Sequence, residues 1–85
     1  MNDPEFLEAA RALAGRMMRD GGATEAARIA YGFQLATARP PKPRESEILL
    51  SSYRYYLEAF RNDAAKAYAT VASLILNLDA TVTKE

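Results

Sequence analysis

Cysteine and histidine are both absent from this chain of 85 residues. Without cysteine there is no disulfide, no thiolate nucleophile and no zinc–thiolate site, and the redox compartment is left open. Without histidine the commonest general base and the commonest metal ligand are gone, and with them haem attachment through C-x-x-C-H. Net charge is missing too, because 11 basic residues balance 11 acidic ones. A nucleic-acid binder carries a basic stripe and a membrane-surface helix a cationic face, so neither partner is expected. The most apolar run, VASLIL at 71–76, is far too short to span a bilayer. No charged start leads into an apolar stretch, so no signal peptide is read.

What remains is apolar periodicity, and it is helical throughout. The chain is read as one all-α domain over 1–85, a small bundle of about four helices at approximately 4–20, 24–38, 43–61 and 64–76. An irregular C-terminal tail follows. In the first helix Asp3 caps, Pro4 takes the first helical position and Glu5 lies near the positive end of the dipole. Phe6, Ala10, Leu13 and Met17 form its stripe, with Leu7, Ala14 and Met18 beside them. Gly21 and Gly22 end it, since glycine tolerates a left-handed cap.

Thr24 caps the second helix, whose stripe of Ala26, Ile29, Ala30, Phe33 and Ala36 is lean enough for a neighbour to approach closely. Tyr31 and Leu35 lie one turn apart on its far side, read either as scattered surface residues or as a packing patch. The third helix carries Leu49, Tyr53, Tyr56 and Phe60 at its centre, and Ile48, Ser52, Tyr55 and Ala59 extend the apolar arc. A helix apolar around more than half its circumference is central, or is covered by a partner. Tyr31, Leu35, Ile48 and Tyr55 are therefore the candidate interface residues. Asn62 and Asp63 reset the chain before the fourth helix, where Tyr68, Val71, Ala72 and Ile75 face the core. Asn77 is expected to end that helix.

Little of this carries chemistry. Glu45 and Glu47 are two residues apart and point in different directions on a helix. Serines 46, 51, 52 and 73 lack an activating base other than a lysine. The stretch YRYY at 53–56 interleaves aromatic and basic residues as a nucleotide-stacking segment does. On a helix, however, Tyr53 and Tyr56 join the apolar stripe while Arg54 points away. No catalytic, cofactor-binding or metal-binding residue is assigned, and the chain is read as non-enzymatic.

The segment ARPPKPRESE at 38–47 looks at first like a proline-rich ligand. Pro40 and Pro43 supply PxxP, but Glu45 stands where a cation is needed, and Arg39 is at the wrong offset for the reverse orientation. A structural corner accounts for each residue. Pro40 disfavours helix at Arg39, Pro43 starts the third helix, and Glu45 and Glu47 follow in its first turn. Arg39 meets the negative end of the second helix. Arg39, Pro40, Pro41 and Pro43 are read as this corner.

NDPEFLEAAR, ARIAYGFQLATARPPKPRE and LILNLDATVTKE occur here in an order that resembles the C-terminal part of the PSD-one domain. This is a planctomycete family of unknown function found with planctomycete cytochrome c-type domains. The likeness spans almost the whole chain and is most specific at Asn2-Asp3-Pro4, Arg39-Pro40-Pro41 and Asn77-Leu78-Asp79. The chain departs from the family pattern at Lys42, where a hydroxyl residue is usual, and at Ala38, where glycine is usual. Thr37 and Ala80 replace a bulky aliphatic and an acidic residue. The resemblance implies a C-terminal piece of a longer exported protein, hence an extracytoplasmic location. Its partners would be other parts of the parent protein or a second copy, as a homodimer. Two alternatives stand beside this structural or protein-binding role. One is a self-standing adaptor holding a peptide or helix in a groove lined by Met17, Met18 and aromatics. The other is an accessory domain of a polymer-degrading or redox-associated enzyme.

Overall fold

The computed structural model describes the backbone of residues 4–83 and the side chains of residues 4–78. It contains α1 (Pro4–Asp20), α2 (Glu25–Thr37), α3 (Pro43–Ala59) and α4 (Ala64–Thr83), with no strand among the described residues. The all-α bundle read from the sequence is the observed fold. Asp3, the expected cap of α1, lies outside the described residues.

The helix ends follow local chemistry. Thr24 is extended at the N-cap of α2, and its hydroxyl accepts from the Ala27 N–H at 3.1 Å. Asp63 does the same for α4 through the Lys66 N–H at 3.1 Å. At the end of α1, Gly22 has φ +104, a backbone angle that only glycine adopts without strain. α3 stops at Ala59, short of the expected Arg61. Arg61 and Asn62 both turn left-handed there, and the Asn62 N–H reaches back to the Leu57 carbonyl at 2.7 Å.

At the other end of the chain α4 passes through Asn77 and continues to Thr83. Asparagine tolerates a left-handed cap but does not impose one, and its penalty inside a helix is only several tenths of a kcal/mol. Ile75 is fully buried and Leu76 packs on the core just before it, so packing holds the helix across that position.

α4 is the centre of the bundle. α2 and α4 each pack against all three other helices, whereas α1 and α3 do not touch, and α4 contributes more buried residues to the core than any other helix. Ala67, Tyr68, Val71, Ala72 and Ile75 are accordingly buried, and they meet Ala10, Ala14 and Met17 of α1, Ile29 and Phe33 of α2, and Leu49 and Tyr53 of α3 in one core. The radius of gyration is 11.8 Å, against about 12 Å expected for a close-packed domain of this length.

The close approach in α2 runs along a different edge from the one expected. Ala26 is exposed and Ala30 only half-buried, while Gly32 is buried. A Cβ at Gly32 would stand 2.5 Å from the Met17 sulfur. Ile29 and Phe33 of the expected stripe are still buried and Ala36 packs on the core, but the long Met17 side chain is seated on Gly32.

Candidate functional site

Because α4 takes the central place, α3 is an outer helix, and its wide apolar arc exceeds what the bundle covers. Leu49 and Tyr53 are buried against α4, with Leu50, Tyr56 and Leu57 packed beside them. Around the outer edge, Ile48 is 52 % exposed and Tyr55 is 68 % exposed. Ile48, Ser52, Tyr55 and Ala59 recur at helical spacing, so they form one strip along α3. Ile48 lines a shallow open groove with Arg44, Glu47, Ser51 and Ser52. The charges there are exposed, with Arg44 and Glu47 paired at 3.6 Å and Arg54 reaching Glu25 of α2 at 3.5 Å.

Tyr31 and Leu35 line a second open groove with Gln34. Leu35 is 42 % exposed. Tyr31 is half-buried, and its hydroxyl accepts from the Arg16 guanidinium at 3.2 Å, which ties it to α1. The two grooves share no lining residue. The four candidate interface residues thus fall into two patches.

The proline corner is ordered by a contact that spacing did not reveal. Arg39 donates two parallel hydrogen bonds to the Glu45 carboxylate, each 2.9 Å. The Arg39 guanidinium also lies 4.9 Å from the Phe33 ring centroid. Glu45 accepts a further bond from the Lys42 N–H at 2.8 Å. These hydrogen bonds, from Arg39 first and the Lys42 amide second, hold the Glu45 carboxyl down at about 2. Lys42 has no acceptor in its side chain, so it cannot return the cap to α3. The expected role of Arg39, facing the end of α2, gives way to a brace between α2 and α3. Glu45 is six residues away, and only the turn at the prolines brings it round.

In YRYY, Tyr53 is buried with its ring centroid 4.3 Å from that of Tyr68. Tyr56 stacks on Phe60 at 6.0 Å, and Arg54 points out to Glu25. Burial pushes the Tyr53 phenol well above its ordinary value, and the nearby Tyr68 hydroxyl adds to the shift. The Tyr68 hydroxyl is itself buried and approaches the Tyr53 phenol without full hydrogen-bond geometry.

No cluster of metal-ligating side chains occurs among the described residues, and no helix there is long and apolar enough to cross a membrane. No protein-family model, curated protein or solved structure matches the chain.

Proposed function

We propose that this chain is a non-enzymatic helical packing module, whose role is to present apolar helix faces to other protein surface. The observation that carries this reading is the outer strip of α3. A central helix has an internal reason to be broadly apolar, but α3 is peripheral and leaves Ile48 and Tyr55 in solvent. Leu35, on α2, adds a second exposed apolar patch. Within a planctomycete exported protein, as the PSD-one resemblance implies, such faces would meet other parts of the parent protein or a second copy. Of the Met17, Met18 and aromatic lining that would favour the adaptor alternative, Met17 is instead fully buried against Gly32.

The test combines denaturation with light scattering. If the strip serves docking and not the fold, the I48K/Y55K variant keeps its unfolding free energy within about 0.5 kcal/mol of wild type. The wild-type chain associates, and the variant does not. A wild-type chain that stays monomeric, with Leu35, Ile48 and Tyr55 freely solvated, overturns the reading.

A further inference from the structure

The charges beside the α3 strip are ordered. Along the exposed side of the helix come Arg44, Glu47, Ser51, Arg54 and Glu58, all of them exposed. Their signs run positive, negative, neutral, positive, negative. Reversing that order about Ser51 inverts every sign. A second α3 laid antiparallel therefore meets opposite charge at each place, whereas a parallel one meets like charge.

From this pattern we infer that the outer face of α3 docks against α3 of a second copy of this chain, antiparallel about a two-fold axis close to Ser51. The inference rests on the packing-module reading and names its occupant. In this register Arg44 faces Glu58 of the second copy, and Glu47 lies within one residue of Arg54 of the second copy. Two-fold symmetry repeats both pairs. Ile48 comes against Tyr55 of the second copy, which buries the two most exposed apolar side chains of the helix together. Ser51, at the crossing point, is small enough for the helices to approach. The pairs that these charges make within one chain do not stand in the way. Arg44–Glu47 and Arg54–Glu25 are exposed contacts of 3.6 and 3.5 Å, a kind worth little and easily exchanged. α1 does not reach α3, so it leaves this face uncovered. A contact between single helices stays below the roughly 800 Å² per partner of a standard interface, so the dimer is weak and concentration-dependent.

Sedimentation equilibrium of the 85-residue chain, across roughly 10 µM to 1 mM, covers the affinities of weak interfaces. Wild type forms dimers. E47R and R54E each weaken dimerisation at least tenfold, and the double variant E47R/R54E recovers most of the loss. Leu35→Lys, on α2, leaves dimerisation unchanged. Circular dichroism confirms that every variant remains helical. Because the chain has no cysteine, a lone S51C also reports the axis, oxidising to a linked dimer faster than A27C on the exposed side of α2. Association that I48K/Y55K removes but charge reversal leaves intact overturns antiparallel self-pairing and keeps the packing-module reading. A monomer with a freely solvated α3 strip overturns both.

Discussion

Gly32 of α2 and Met17 of α1 are in contact so close that a methyl group on Gly32 would stand 2.5 Å from the Met17 sulfur and 2.6 Å from its Cγ. Met17 is completely buried, so it has no solvent to retreat into. The glycine costs the helix up to about 1 kcal/mol in propensity, and packing offsets it.

Gly32→Ala should therefore destabilise the chain by about 1–2 kcal/mol despite alanine's better helix propensity, because overpacking outweighs that gain. Urea denaturation measures this. In a Met17→Ala background the same substitution should become neutral or stabilising, since the clash is gone. A cost that persists there would place the strain elsewhere.

Ala38 ends α2 in the left-handed region at φ 63, a conformation in which a Cβ crowds the following carbonyl. Ala38→Gly should stabilise the chain by about 1 kcal/mol, or roughly 4–8 °C in Tm. Thermal unfolding of the variant gives the answer directly, and an unchanged or lower Tm would contradict a strained cap.

Tyr68 buries a hydroxyl beside the Tyr53 phenol without reaching full hydrogen-bond geometry, an arrangement that costs free energy in the folded state. Tyr68→Phe should be neutral or stabilising by up to about 1–2 kcal/mol, since the ring contact with Tyr53 remains. Its neighbour Tyr53 has a raised pKa, chiefly through burial. The stability that this phenol contributes is full below its ordinary value of about 10 and falls as pH rises through the raised folded value. Ultraviolet titration should show one tyrosine ionising late, together with alkaline unfolding.

Glu45 titrates at about 2 because Arg39 and the Lys42 amide bind its ionised form. A depressed carboxyl pKa contributes stability above the ordinary value of about 4.3 and loses it as pH falls towards 2. Carboxyl carbon shifts should follow this low midpoint in wild type. In Arg39→Ala the midpoint should move up towards the ordinary range, while one that stays near 2 would rule out the brace.

The helices are legible in the residues alone, because the period of apolar side chains and the caps are local. Thr24, Asp63, Gly22 and Pro43 act on neighbours within a turn, and each stands where its own chemistry requires. The outer apolar edge of α3, with Ile48 and Tyr55, was legible for the same reason, since an apolar arc wider than one neighbour needs shows on a helical projection. Tertiary packing sets which helix is central, and with it which part of the α3 arc stays exposed. Both α3 and α4 are broadly apolar, and periodicity cannot rank them. Only packing in three dimensions buries α4 most deeply in the core and leaves Ile48 and Tyr55 outside. Gly32 as the seat of Met17, Glu45 as the partner of Arg39 and the passage of α4 through Asn77 were decided there too. The first two join residues that come together only when the chain folds back on itself. The third turns on burial beside Asn77, where core contacts outweigh a preference worth tenths of a kcal/mol.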